Sequence, residues 1–267
     1  EEELFHLETV KGSFESPVVV VATGGLSYPH TGSTGDGFVW AKTFGHKIVP
    51  TKPALTPLKI KNYELSDMSG TSFEELPYTL WRNGKKIGSY QGDFLLTHTG
   101  VSGPGIINNS RFMQSGDVIK CNFVAAESIE EFRSNLTKKL NHGGKTLVKS
   151  IVRELNLTKR FADKVLELCE INDDLKCAEL TKATRQKLLT TLTEYEMEVK
   201  ELGGYHVAMV TTGGVSIKEI SPKTMESKKV SNLYFIGEVL DIDGDTGGYN
   251  IQAAMSTAYI ASQAINK

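Results

Sequence analysis

Asn232-Leu-Tyr-Phe-Ile-Gly-Glu-Val-Leu-Asp-Ile-Asp-Gly-Asp-Thr-Gly-Gly-Tyr-Asn-Ile-Gln-Ala-Ala-Met-Ser-Thr257 decides how this chain is read. Leu233 to Ile236 is a short apolar, aromatic-rich run suited to a buried strand. Gly237, an acidic loop and the Gly247-Gly248 pair follow, and Tyr249 to Ile265 reads as a helix rich in Ala, Ile and Met. A strand that passes through glycines into a helix leaves the first backbone N–H groups of that helix unpaired. Those donors and the helix dipole favour an electron-rich ligand edge, which is the geometry of a cofactor seat.

The same grammar occurs near the other end. Pro17-Val-Val-Val-Val-Ala-Thr-Gly-Gly25 is a β-branched run closing in glycines, followed by Thr31-Gly-Ser-Thr-Gly-Asp-Gly37 and a short helix from Phe38 to Phe44. A β-branched run without polar alternation has the texture of a parallel strand covered on both faces. Two such units at opposite ends imply one domain interrupted by everything between them. Taken alone, Thr31 to Gly37 reads as a flexible loop capped by Asp36.

Between these ends the texture changes twice. Pro50-Thr-Lys-Pro-Ala-Leu-Thr-Pro57 excludes a helix and suits an extended connector. Beyond it, Tyr78 to Arg82 and Lys85 to Tyr90 flank Asn83-Gly84, a strong hairpin signal, and Asp93 to His98 and Val118 to Val124 add strands. Val207 to Val210 is expected to return and complete a barrel or sandwich. Pro104 and Ser102 mark the start of a helix from Gly105 to Met113. From Ser128 to about Lys200, apolar residues recur at four-residue spacing: Leu136 and Leu140; Leu147, Ile151 and Leu155; Phe161, Val165 and Cys169; Leu188 and Leu192. Ser128 with Glu131 forms a capping-box pattern, and a bundle of four or five short helices is expected.

The ordered blocks carry a resemblance. Ala22-Thr-Gly-Gly-Leu-Ser-Tyr-Pro29 with Thr31–Gly37, Leu96-Thr-His-Thr-Gly-Val-Ser-Gly-Pro104, Thr212-Gly-Gly-Val215, Thr224-Met-Glu-Ser227 and Gly237-Glu-Val-Leu-Asp241 through Gly247-Gly-Tyr-Asn250 closely resemble a family of bacterial FAD flavoproteins that includes aminoacetone oxidase and a dehydro-bile-acid reductase. The resemblance implies an α/β fold with a discontinuous, Rossmann-like FAD domain of the glutathione-reductase kind at 1–50 and 221–267, a β-barrel-like domain at 51–126 and 202–220, and a helical insert at 127–201. Members begin with a strand, turn and helix carrying G-x-G-x-x-G. That motif is absent here and the chain opens on Glu1-Glu-Glu, so it reads as the C-terminal two-thirds of such a protein, in the family an oxidoreductase acting on a small molecule.

The resemblance also implies the site. Ala22, Thr23, Gly24, Gly25, Thr34, Gly35, Asp36, Gly37, Gly237, Glu238, Asp241, Thr246, Gly247, Gly248, Tyr249, Asn250 and Ile251 would contact FAD, with Glu238 or Asp241 accepting a ribitol hydroxyl. The N–H groups around Gly248, Tyr249 and Asn250 would face the pyrimidine edge of the flavin. NAD(P)H is a possible co-substrate, and the small organic substrate would be an amine or an activated alkene. His98 is a weaker candidate for proton transfer, being the side chain that titrates near neutral pH, against the plainer reading of a structural corner.

Composition bounds the rest. A net charge of −2 over 267 residues supplies no basic field, so neither nucleic acid nor an anionic membrane is expected as a partner, and a flavoprotein acting on RNA ranks below one acting on a small molecule. Cys121, Cys169 and Cys177 are odd in number and lack C-x-x-C spacing, which argues against a disulfide framework or zinc site and fits buried thiols in a reducing cytoplasm. The remaining alternative is a non-catalytic module that holds no FAD alone, its unfinished sheet paired with the N-terminal segment or with a second copy of the chain.

Overall fold

The computed structural model describes residues 4–266; Glu1 to Glu3 and Lys267, at the outer ends of the expected 1–50 and 221–267 ranges, lie outside them. The chain divides into two compact units. The first takes residues up to Thr56, Ile107–Phe112 and Gly203 onward; the second takes Pro57–Ile106 and Met113–Leu202.

The first unit opens with an antiparallel hairpin, β1 (Phe5–Thr9) and β2 (Gly12–Ser16), then β3 (Val19–Val21), helix α1 (Asp36–Thr43) and β4 (Ile48–Ala54). In the second unit come β5 (Leu58–Ile60), β6 (Ser72–Arg82), β7 (Lys85–Leu96) and β8 (Gly100–Ser102). The single-turn helix α2 (Pro104–Ile107) precedes β9 (Val118–Cys121), α3 (Ile129–His142), α4 (Val148–Arg153), α5 (Lys159–Leu168), α6 (Lys182–Thr193) and β10 (Tyr195–Leu202). The chain returns to the first unit with β11 (Val210–Val215), β12 (Leu233–Phe235) and α7 (Tyr249–Ile265).

β3 and β12 are parallel neighbours, with Leu233, Tyr234 and Phe235 opposite Val19, Val20 and Val21. Val21, Leu233 and Phe235 are buried, and they share a core with Phe38, Val215, Val239 and Ala261. The apolar runs at the two ends of the sequence thus meet in one sheet. The expected Pro50–Pro57 connector is extended and not helical, and its first part, to Ala54, is incorporated in strand β4. β4 pairs antiparallel with β11, with Pro53 opposite Thr211 and a bulge between Thr212 and Gly214. A two-stranded ribbon with a bulge tolerates proline because the missing donor falls on a free edge.

In the second unit six strands close into an antiparallel barrel in the order β10-β5-β8-β7-β6-β9. Asn83 and Gly84 both have positive φ, as a type I′ turn requires, and pair Arg82 with Lys85. The closing strand is β10, not the expected Val207–Val210, which lies in the first unit and of which only Val210 is in a strand, β11. The sequence explains this: Met197 and Val199 are buried while Glu196 and Glu198 are exposed, a period of two inside a stretch read as helical. The expected helix from Gly105 to Met113 is also shorter. It ends at Ile107, where Ser110 Oγ donates to the Ile107 carbonyl at 2.8 Å and accepts the Thr56 N–H.

Ser128, Thr158 and Thr181 cap α3, α5 and α6, each side-chain oxygen accepting an N–H three residues on. The apolar stripes of these helices are buried in the same core as the barrel. Phe123 and Phe161 lie 4.6 Å apart between ring centres, and Phe73 packs on both. The barrel and the residues read as a separate insert at 127–201 therefore form one hydrophobic body. All three cysteines are buried free thiols. No described helix is long and apolar enough to cross a membrane.

Candidate functional site

Because β3 and β12 are parallel, the glycine-bearing loops that leave them emerge at the same end of the pair. The first loop leads to α1, whose N-cap is Gly35 with φ 86°; the second leads to α7, whose N-cap is Gly248 with φ 93°. Neither helix has a side-chain cap, so both present bare N–H groups at the carboxyl end of the sheet. Asp36 does not cap α1, as the loop reading had it, but occupies its first turn and accepts the Thr34 hydroxyl at 2.9 Å.

The loops adjoin. A Cβ on Gly37 would collide with Thr23 Oγ1 and lie 3.0 Å from Val239 Cγ2. A Cβ on Gly25 would lie 2.5 Å from Thr211 Oγ1 and 2.8 Å from Glu238 Oε1. Glycine is required at both positions by packing, since neither has positive φ. Ala22–Gly25, Gly37 and Gly237–Val239 thus form one cluster.

β11 organises the second loop. The Thr211 N–H donates to Glu238 Oε1 at 2.8 Å, while Thr211 Oγ1 accepts the N–H groups of Leu26 and Ser27 at 2.7 and 3.1 Å. The Thr212 hydroxyl donates to Asp243 Oδ1 at 2.8 Å, and the Asp241 N–H donates to the Val215 carbonyl. The Gly237 N–H donates to Thr257 Oγ1 at 2.9 Å, tying the loop to α7. Burial pushes the Glu238 carboxyl upward, opposed by the Thr211 hydrogen bonds. Burial, and then the neighbouring Asp243, raise the Asp241 carboxyl.

The acidic turn before α7 is held by Arg111 and Asn108, which the sequence reading did not name, and by Asn250, which it did. Arg111 spans it, with Nη1 2.8 Å from Asp243 Oδ2 and Nη2 2.8 Å from Asp245 Oδ1. Asn108 Oδ1 accepts both the N–H and the hydroxyl of Thr246, at 2.9 and 3.0 Å. Asn250 brackets the turn: its Oδ1 accepts the Gly244 N–H and its Nδ2 donates to the Gly244 carbonyl, at 2.8 and 2.9 Å. Its side chain is therefore occupied inside the loop, while Tyr249 and Ile251 beside it are exposed. Asn108 and Arg111 lie outside the glycine motifs, and no local pattern marks them. Thr211 stands beside the Thr212-Gly-Gly-Val215 block, which is the one signal that pointed toward it.

Every FAD-contact residue expected from sequence falls in the first unit. His98 belongs to the second, exposed in the Thr97–Gly100 turn, which is closed by the Thr97 N–H donating to the Gly100 carbonyl.

Residues 1–264 match the family model described as HI0933-like protein Rossmann domain. The chain belongs to this family. Among its relatives, a ribosomal RNA dihydrouridine synthase of Haemophilus influenzae is 34% identical over 265 residues, covering 98% of this chain and 64% of that protein. Its counterpart of the same name in Escherichia coli is 33% identical over 246 residues, covering 92% and 60%. A 3-dehydro-bile acid delta(4,6)-reductase of Clostridium scindens is 27% identical over 258 residues, covering 94% and 62%. The chain spans about three fifths of the length of these relatives. The family resemblance drawn from the motifs is therefore correct, and a Rossmann domain accounts for the parallel β3–β12 pair with its two glycine loops.

Proposed function

We propose that the chain is the larger part of an FAD-dependent reductase that saturates a carbon–carbon double bond conjugated to a carbonyl, and that its substrate is a uracil base in RNA. The carrying observation is the shared end of β3 and β12, where two uncapped helices begin and two glycine loops interlock. Ligands of open parallel sheets bind outside the carboxyl ends of the strands.

The residues present fit a flavin nucleotide. The bare N–H groups at the start of α7, from Gly248 to Ile251, suit an electron-rich ring edge, and those at the start of α1 suit polar groups of the nucleotide. Glu238 is turned to Thr211 through Oε1, and Asp241 is the second carboxylate for a ribitol hydroxyl. A bound FAD, once reduced by NAD(P)H, would supply the hydride that the β-carbon of the alkene takes up, with a proton from solvent completing the α-carbon. The protein's part is to fix the loop through Thr211, Arg111 and Asn250, so that the α7 donors are in place before the ligand arrives.

The substrate class rests on the relatives. Dihydrouridine differs from uridine by two hydrogens across a bond conjugated to a carbonyl, and a delta(4,6)-reductase of a 3-dehydro steroid acts on the same kind of bond. An activated alkene is thus favoured over an amine. RNA replaces the small molecule expected from net charge, because the two relatives named for ribosomal RNA are the more similar ones.

β3 pairs only with β12 among the described residues, and Val39, Trp40, Ile251, Met255 and Tyr259 are exposed in the same unit. We assign this open edge and these apolar side chains to residues corresponding to the unmatched part of the relatives, or to a second copy of the chain. The test is the visible spectrum of the purified chain after adding FAD and removing the excess, followed by incubation with NADPH and a uridine-containing RNA. A retained flavin band and uridine that gains two hydrogens support the reading. A retained band with no change in the RNA, but reduction of a steroid enone, would transfer the reading to a small molecule. A colourless protein would make this chain a substrate-side module.

A further inference from the structure

Net charge conceals how the basic residues of the second unit are distributed. Many of them are neutralised in pairs, among them Lys59 with Glu201, Lys61 with Glu198, Lys120 with Glu196, Lys149 with Asp173, Arg153 with Asp163 and Lys187 with Glu170. One group is not. α3 and α6 run antiparallel: Arg133 reaches Thr193 and Glu194 at one end, and Arg185 donates to Asn141 at the other. At that second end Lys138, Asn141 and His142 share a helical face, and Lys145 follows past Gly143-Gly144. The Ala178 N–H donates to the Gly144 carbonyl and the Cys177 N–H to the Thr146 carbonyl, which brings Lys176 alongside. Lys182 opens α6, one turn before Arg185.

Lys138, His142, Lys145, Lys176 and Lys182 are exposed, and neither they nor Arg185 has an acidic partner among the described residues. The nearest acids in sequence are Asp174 and Glu179. These two acids are fewer than the Lys and Arg side chains gathered here, so the cations stay in excess, and Glu179 is turned to the backbone N–H of Lys176. Holding several unneutralised cations together costs electrostatic energy that a polyanion removes.

We propose that this end of the α3–α6 pair docks the phosphodiester backbone of RNA. The proposal rests on the RNA reading above and adds to it a surface that holds the strand's backbone. The group contains no Phe, Tyr or Trp on which a base would stack, so it contacts chiefly phosphates and reads little sequence. Each phosphate neutralised by Lys or Arg releases condensed counterions, which makes such binding steeply salt-dependent.

The experiment is fluorescence anisotropy of the 267-residue chain with a fluorescein-labelled, uridine-containing RNA hairpin over a series of salt concentrations. The variant Lys138→Glu/Lys145→Glu/Lys182→Glu should weaken binding at least about tenfold and lower the slope of log K against log salt by about 2 to 3. A control triple, Lys85→Glu/Lys86→Glu/Lys223→Glu, changes net charge equally on other surfaces and should bind nearly as wild type. Thermal melts establish that both variants fold. Equal losses in the two triples, or an unchanged α3–α6 variant, would overturn the proposal. So would a wild-type chain that binds phosphatidylglycerol vesicles and not RNA. Loss of RNA binding in the α3–α6 variant of a protein that reduces no uridine would sink the reaction and keep the surface. Uridine reduction with full rate and affinity in that variant would do the reverse.

Discussion

Glu238 Oε1 accepts the backbone N–H of Thr211 at 2.8 Å, and Thr211 Oγ1 in turn accepts the N–H groups of Leu26 and Ser27. One carboxylate and one hydroxyl thus join three segments far apart in sequence: the loop after β3, strand β11 and the turn after β12.

Replacing Glu238 therefore tests the centre of the site. Glu238→Ala leaves the Thr211 N–H without its partner in a largely buried place, which costs about 1–3 kcal/mol. Glu238→Gln keeps an acceptor and sheds the charge that burial disfavours, and is expected to cost under about 1 kcal/mol. Urea denaturation of the two variants measures the difference, and equal losses would show that the hydrogen bond to Thr211 carries no stability.

Gly37 lies in the first turn of α1, where Ala would ordinarily stabilise by about 1 kcal/mol over Gly. Here the added Cβ meets Thr23 Oγ1 and Val239 Cγ2, so Gly37→Ala is expected to destabilise by about 1–3 kcal/mol and to weaken flavin retention. Removing the obstacle with Thr23→Ala should recover part of the loss, and the double-mutant cycle reports the coupling. Additive costs would mean that the two residues do not touch.

Arg111 holds Asp243 and Asp245 with separate guanidinium nitrogens, and its side chain is 15% exposed. A lysine ammonium cannot replicate that fork. Arg111→Lys should free the turn between Asp241 and Gly248, increase cleavage there in limited proteolysis and cost about 1–3 kcal/mol. Proteolysis identical to wild type would show that Asn108 and Asn250 suffice to order the turn.

The parts legible in sequence are those where local pattern and tertiary role coincide. Val21 and Leu233 to Phe235 are apolar because they are buried, whereas Val20 is exposed on the face that the β-branched run was expected to cover, and the glycines after both strands mark places where backbones and side chains crowd. The Asn83-Gly84 turn and the Ser128 cap are local devices, visible without the fold. β10 was hidden because a two-residue alternation of Glu with Met and Val follows directly on a long helical stretch. β4 was hidden because two prolines discouraged a strand that its free edge allows. Asn108 and Arg111 reach the site from a segment more than one hundred residues away in sequence, and only tertiary structure reveals such partners.

His46 offers a test of the first unit through pH. Its ring is buried, with Nε2 2.8 Å from Ser227 Oγ and Nδ1 3.3 Å from Glu219 Oε2, and it packs edge-on against Phe235 with ring centres 5.0 Å apart. Burial lowers its affinity for a proton below the ordinary 6.5, against the opposing pull of Glu219. The unfolded chain therefore takes up a proton as pH falls through about 6.5 while the folded chain does not, so stability declines with falling pH until the folded ring also protonates. Glu219, held below its usual range first by the hydrogen bond from Lys229, acts in the same direction at lower pH. A single proton gives a slope of at most about 1.4 kcal/mol per pH unit. His46→Gln can still hydrogen-bond Ser227 and has no titration of its own, so it should flatten stability against pH just below 6.5 and leave the Glu219 decline at lower pH in place. Urea denaturation across that range makes the comparison, and parallel curves for variant and wild type would mean that the decline arises from other groups.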